Sequence, residues 1–212
     1  LTALTSGAQN IAIGYTAGDS ITTGTTNIAL GYNSLGATDD GNRNIAIGSA
    51  TLAANCGDDN VAVGYATLNV CTADQNIAIG TNAGSAITSG SNNIGIGYNS
   101  LDATDDGVRN VAMGTLSLSA NCGDDSVGIG YAALKSTTAS NNTALGSYAC
   151  EDLVGGSGNV SIGMESMKDM TTALDNVAVG KQALQGTSGA QAQFNVAIGT
   201  SAMQSSSITN SA

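Results

Sequence analysis

The sequence predicts an all-β fold, a β-solenoid or β-roll of about twelve coils, each sixteen or seventeen residues long in most of the chain. The first observation behind this is a short phrase that recurs once in every coil: Asn, a large apolar residue, a small residue, a second large apolar residue and Gly. The second is that large and small side chains alternate within the phrase with the period of a β-strand. A short fixed period with a strand at its centre is typical of stacked coils, each of which buries its apolar face only against its neighbours.

The phrase divides the chain into coils, and its first residue is position 0 of each coil. We predict a single repeat domain over 1–212. The coils begin at Asn10, Asn27, Asn44, Asn60, Asn76, Asn93, Asn110, Ser126, Asn142, Asn159, Asn176 and Asn195. Stacked coils would place the asparagines in a ladder in which each side-chain amide bonds the next, as in other stacked-strand structures.

Three positions of the coil are expected to fill the core. Position 1 is Ile or Val in eleven copies, with Thr143 as the exception, and position 3 is Ile, Val, Leu or Met in all twelve. Position 8 is Leu or Met in nine copies. We expect the large residues of the strand, at positions 1 and 3, to share one face and to enter the core together with position 8. The segment from position 9 onward varies in length, which suits an exposed turn.

Small residues occupy three further positions. Position 4 is Gly in all twelve copies, so a Cβ is expected to be excluded there by a positive φ or by another backbone lying close. Position 2 is always Ala, Gly or Ser, and position 7 is always Ala, Ser or Thr. Two interpretations of these stripes stay open: a second surface packs closely against them, or small residues fit a tight coil interior.

Composition and charge limit the classes of function. The chain has 29 Gly, no Pro, no Trp and no His, and its net charge is −11. An acidic surface repels phosphate backbones and anionic lipid, so we expect no nucleic-acid partner, and no apolar run reaches the ~20 residues that membrane insertion by a helix requires. Without His, the common base for a Ser or Cys nucleophile is absent, so we expect no enzymatic activity and no cofactor. The chain opens at Leu1 without a signal-like segment, so we expect a portion of something longer.

The short repeat is itself part of a longer sequence repeat of four coils. The block of four coils that begins at Asn10 recurs from Asn76, and the sequence ANCGDD at Ala54 returns at Ala120. Duplication of whole blocks indicates the growth of a spacer, in which length was useful.

The repeats resemble those of a known class of fibre proteins. The phrases NIAIGYTAG, NIALGYNSL and NVAVGYATL are similar to the Asn-Thr-Ala-Ile-Gly-Tyr-x-Ala-Leu repeats of bacteriophage tail-fibre and related surface-fibre proteins. They resemble, more loosely, the Ser-Val-Ala-Ile-Gly head repeats of trimeric autotransporter adhesins, whose period is shorter. This resemblance covers essentially the whole chain. It implies a β-roll or β-solenoid fibre segment, commonly homotrimeric, on a virion or cell surface.

Pairs of aspartates are the strongest candidates for a binding site. Carboxylates on adjacent coils could hold Ca²⁺, which takes six to eight oxygen ligands from flexible loops. The alternative is an acidic edge that keeps the rod soluble, and the spacing does not match a known calcium loop. The candidates are Asp39, Asp40, Asp58, Asp59, Asp105, Asp106, Asp124 and Asp125.

Stacking also predicts pairs of residues in adjacent coils. Arg43 and Asp59 both directly precede the phrase, so they should form an ion pair, and Arg109 should pair with Asp125. Cys56 and Cys71 lie close enough in adjacent coils to be a disulfide candidate. Cys122 and Cys150 are two coils apart, which forbids a bridge, and Cys150 replaces the Leu of position 8, so we expect a buried thiol there.

These observations favour a structural segment of an extracellular or virion fibre, a rigid spacer that can also be adhesive. The alternatives are a Ca²⁺-dependent adhesion module and a glycan-binding or ice-binding repeat rod, for which the five tyrosines at position 5 would offer stacking faces. Expected partners are further copies of the chain, as a homotrimer or an end-to-end filament, and a host-surface glycan or protein.

Overall fold

A computed structural model describes residues 3–186 and 192–204 of the chain, which form one stack of short strands. Each strand has three residues, at positions 1 to 3 of its coil. The strands are β1 (Ile11–Ile13), β2 (Ile28–Leu30), β3 (Ile45–Ile47), β4 (Val61–Val63), β5 (Ile77–Ile79), β6 (Ile94–Ile96), β7 (Val111–Met113), β8 (Val127–Ile129), β9 (Thr143–Leu145), β10 (Val160–Ile162), β11 (Val177–Val179) and β12 (Val196–Ile198).

The strands make a single twelve-stranded parallel sheet in chain order. Each strand pairs with the next at equal positions, so that Ala29 of β2 lies beside Ala46 of β3. The predicted all-β solenoid and its coil register are therefore confirmed. At ~4.8 Å per strand, the eleven steps from β1 to β12 make a rod of roughly 53 Å.

Each strand directs its small residue, at position 2, into the core. The prediction that the large residues at positions 1 and 3 enter the core is therefore wrong. Position 2 is buried in eleven of the twelve strands, whereas no residue at position 1 or 3 is buried. The interior is too narrow for a larger side chain at position 2. A Cβ added to Gly95 would already lie 3.3 Å from Leu101 Cδ1, and one added to Gly128 would lie 3.2 Å from Leu118 Cγ. The large residues of positions 1 and 3 therefore point outward.

Position 8 fills the core as predicted. Its side chains are fully buried in the interior coils, among them Leu35, Leu68 and Leu134. A further buried column, which the sequence did not indicate, comes from the segment expected to be an exposed turn. Its members lie four to six residues before the next phrase, and this variable spacing hides their periodicity. They are Ile21, Thr38, Cys56, Cys71, Ile87, Thr104, Cys122, Thr137, Leu153 and Met170.

The backbone repeats a left-handed conformation three times in each coil. Residues directly before the phrase and at positions 6 and 8 have positive φ in every coil, whatever their side chain; Leu35, for example, has φ 50°. Such angles are costly for bulky residues. They persist because the amides bond to adjacent coils: Leu35 N–H donates to Thr51 O at 3.1 Å, and Asn33 N–H donates to Tyr15 O at 3.0 Å.

Candidate functional site

The asparagines of position 0 form a continuous buried ladder. Asn44 is 0% exposed; its Oδ1 accepts the N–H of Asn60 at 2.9 Å, and its Nδ2 donates to the carbonyl of Gly57 at 2.7 Å. The bonds thus run mainly from side chain to main chain, rather than from amide to amide as expected. Direct amide-to-amide bonds join only some neighbours, such as Asn159 Nδ2 to Asn142 Oδ1 at 2.9 Å.

The same pattern links the asparagines from Asn10 to Asn195 through every coil. The successive position-0 residues that donate their N–H to the preceding position-0 side chain are Asn27, Asn44, Asn60, Asn76, Asn93, Asn110, Ser126, Asn142, Asn159, Asn176 and Asn195. Ser126 continues the ladder because its Oγ accepts the N–H of Asn142 at 3.3 Å. Each ladder side chain thereby satisfies main-chain groups that would otherwise be buried without a partner.

A second ladder, which the repeated phrase does not predict, lies two residues before the phrase. The N–H of Thr25 donates to Asn42 Oδ1 at 3.0 Å, that of Asn42 donates to Asp58 Oδ1 at 2.9 Å, and that of Asp58 donates to Asp74 Oδ1 at 2.7 Å. These side chains reach back to the preceding coil, whereas the position-0 asparagines reach forward. Short polar acceptors at this position of successive coils were the signal that could have found it.

The aspartates proposed for calcium bind neighbouring coils instead. Asp58 and Asp124 accept main-chain N–H groups of the coil before, the latter from Val108 at 3.0 Å. Asp39 and Asp105 accept hydroxyl bonds from the threonines one coil before them. Asp40 and Asp106 are exposed on the surface.

The candidate calcium ligands therefore do not converge. Across residues 3–186 and 192–204, no three or more Cys, Asp or Glu side chains lie close enough together to hold a metal ion.

The two arginines pair with aspartates of the next coil. Arg43 Nε lies 2.5 Å from Asp59 Oδ1, and Arg109 Nε lies 2.6 Å from Asp125 Oδ1. The hydrogen bond from Arg43 holds the pKa of Asp59 below its usual range. The ion pair therefore stabilises the fold above the ordinary carboxyl pKa, and that contribution is lost as the pH falls through the lowered pKa of Asp59. Because the side chains are about half exposed, solvent keeps the contribution small.

All four cysteines are buried and free, so the disulfide between Cys56 and Cys71 is not formed. Both side chains belong to the interior column, where polar neighbours contact them: the Thr38 hydroxyl lies 3.1 Å from Cys56 Sγ, and Asn76 Nδ2 lies 3.5 Å from Cys71 Sγ. Cys150 occupies the place of the core Leu at position 8 as a buried thiol. Burial raises the pKa of the Cys56 and Cys150 thiols to about 12.

We expect all four thiols to be unreactive in the folded chain. A thiol buried among core residues with a raised pKa offers neither thiolate nor access to a reagent. Alkylation at neutral pH should modify no cysteine of the native protein and four after denaturation without reductant, as counted by intact-mass spectrometry. Modification of only two cysteines after denaturation would instead show that a disulfide is present.

The tyrosines of position 5 do not form a continuous aromatic surface. Tyr15 and Tyr32, on adjacent coils, stack with ring centroids 5.9 Å apart, but Ser49, Thr81 and Thr115 interrupt the column beyond them. The stacked rings face one another along the rod.

The outer face of the sheet carries exposed apolar side chains along the whole stack of strands. We call the side chains at positions 1 and 3 of β1–β12 the outer strip; it contains no ionisable residue, and Thr143 is its one polar residue. In the middle of the rod Ile47, Ile79 and Met113 remain 36%, 39% and 40% exposed. Their exposure follows from the narrow interior, which accepts only the small residue between them.

The stripes of small residues are not a surface. Position 7 is buried in eleven of the twelve coils, like position 2, so both stripes line the coil interior. Of the two interpretations of these stripes, the tight interior is correct. Any close packing between copies must therefore use another face.

In residues 3–186 and 192–204 there is no helix of the length and hydrophobicity needed to cross a membrane.

No family model, no curated protein and no solved structure matches the chain.

Proposed function

We propose that this chain is a structural segment of an extracellular or virion fibre, in which it acts as a rigid spacer and assembles with copies of itself. The observation that carries this role is the unbroken stack: twelve parallel strands keep one register from β1 to β12. The buried ladder of position-0 side chains links all the coils from within, and the second ladder links part of the stack nearer the surface. Both sets of bonds resist bending. The resemblance of the repeats to surface-fibre proteins supports the location.

A spacer should change length in whole coils. Residues 76–141 contain four coils, and their removal joins Gln75 to Asn142, which restores a normal coil junction. We expect the shortened chain to fold with the same circular dichroism per residue and to be shorter by ~19 Å, four strand spacings, in small-angle X-ray scattering.

Removal of residues 76–83, about half a coil, is the matched control. It removes β5 and leaves one coil of about 25 residues between Asn60 and Asn93, whereas the coils on either side keep their own register. We therefore expect a lower free energy of unfolding than that of the four-coil deletion. A four-coil deletion that fails to fold, or that folds without shortening, would contradict a modular spacer. Antibodies against the purified chain should label surface filaments or virions of its source, and labelling confined to the cell interior would contradict the location.

A further inference from the structure

We propose, resting on the fibre function above, that the outer strip is the surface on which a second copy of this chain packs, sheet against sheet. The strip is an apolar side of the coil that the fold leaves exposed to solvent. Its large aliphatic residues stand in two columns that only Thr143 interrupts, and even in the middle of the rod Ile79 is 39% exposed. Side chains of this kind, aligned on paired strands, are what packed sheets bury between them.

The strip is about as large as the largest apolar patches that monomers leave exposed. Positions 1 and 3 are ~6.6 Å apart along each strand, so with side-chain width the strip measures roughly 53 by 10 Å, about 500 Å² in projection. Contiguous apolar patches of this size lie at the upper end for monomers, and a standard interface covers about 800 Å² on each partner. A second sheet at the usual ~10 Å separation would remove the strip from water along its whole length.

Charge favours contact on this face over contact through the acidic loops. The chain carries a net charge of −11, so two copies repel each other wherever their acidic loops meet. The outer strip has no ionisable side chain, and the position-0 and position-4 columns that flank the strand are Asn or Ser and Gly. Two copies that meet here keep the acidic loops apart.

The length and period of the strip match a copy of the chain. A second copy presents the same columns at the same strand spacing over the same length. Its large residues can therefore fit against those of the first in every coil.

The first experiment removes apolar character from the strip while keeping strand-forming residues. The variant combines Ile47→Thr, Ile79→Thr and Met113→Thr; Thr143 already occupies a strand in the native chain. The control combines Val70→Thr and Val154→Thr, which are 40% and 47% exposed but lie outside the strip. Light scattering at micromolar concentration should give a multiple of 20.7 kDa for the native chain and the control. The strip variant should dissociate at least tenfold more readily, with unchanged circular dichroism.

A second measurement does not depend on disrupting the contact. Because the native cysteines are buried, Ile79→Cys introduces a single accessible thiol on the strip, and Val154→Cys introduces one outside it. In the assembly the thiol at position 79 should react with a water-soluble alkylating reagent at least tenfold more slowly than the one at position 154. The difference should shrink on dilution.

The outcomes separate this inference from the fibre function. If the native chain assembles but the strip variant assembles equally well and both thiols react alike, copies meet on another face, and the inference fails while the fibre function stands. If the native chain is a folded monomer, self-assembly and the inference both fail, whereas the four-coil deletion still tests the spacer. If that monomer adsorbs to ice or to an insoluble polysaccharide and the strip variant does not, the strip binds that surface and a second copy is excluded.

Discussion

Replacing Gly80 with Ala is expected to lower the free energy of unfolding by at least about 3 kcal/mol. Gly80 is the position-4 glycine after β5 and has φ +129°, where an L-residue costs about 1–3 kcal/mol. The new Cβ would also lie 2.6 Å from the carbonyl oxygen of Gly97 in the next coil.

Neither backbone can move aside at this point. The N–H of Gly80 bonds to Val63 O and that of Gly97 bonds to Ile79 O, both at 2.8 Å, so a shift of either coil breaks hydrogen bonds of the stack. Circular dichroism during denaturant unfolding would measure the loss.

Gly199→Ala is the matched control for this substitution. Gly199 occupies the same position after β12 with φ +121°, but its Cβ would meet nothing nearer than Ala202 Cβ at 4.0 Å. It should therefore show the conformational cost alone, and the difference between the two variants gives the cost of the close approach. Equal effects of the two substitutions would mean that stacked coils can separate at this corner, contrary to the structure.

Asn93→Ala is expected to destabilise the fold by about 2–6 kcal/mol, because it leaves two buried main-chain groups without partners at about 1–3 kcal/mol each. Asn93 is 1% exposed; its Oδ1 accepts the N–H of Asn110 at 2.9 Å, and its Nδ2 donates to Gly107 O at 2.8 Å. Alanine is small enough to fit, so the loss would come from hydrogen bonding and not from a clash.

Two variants test this assignment. Asn92→Ala removes the same side chain from the exposed neighbour and should cost only about 1–2 kcal/mol, the penalty of Ala at positive φ. Asn93→Ser keeps an acceptor in the ladder, as Ser126 does, and should retain part of the lost stability. If Asn93→Ala proved no worse than Asn92→Ala, the buried ladder would not hold the coils together.

The order and register of the stack could be predicted from the sequence. A phrase that begins with Asn, ends with Gly and returns at a nearly constant interval has one alignment in which all copies superimpose, so Ile28 must lie beside Ile45. The same alignment put Arg43 beside Asp59 and Leu35 in the column of Leu52. These are relations between equivalent residues of neighbouring coils, and a periodic sequence contains them directly.

The chemistry of the loops could not be predicted in this way. The residues of the interior turn column, such as Cys56 and Ile87, lie at different distances from the next phrase, so their common environment becomes visible only when the coil closes. The aspartates suggested a metal site because carboxylates bind cations. In the folded chain Asp58 accepts the N–H of Asn42, because a coil turning back on itself exposes amides that need acceptors.

What the sequence by itself determined is that this chain stacks short parallel strands, in what order and in which register. Which side of each strand faces the core was decided only by the tertiary structure. Alternation of large and small residues defines two faces and favours the larger as the inner one. The coil, however, closes so tightly that Gly95 has no room for more than a methyl group opposite Leu101, so alanine-sized residues line the interior and the isoleucines and valines turn outward. The narrow cross-section of the closed coil therefore decided which face of each strand lies inside. That cross-section cannot be read from a single repeat.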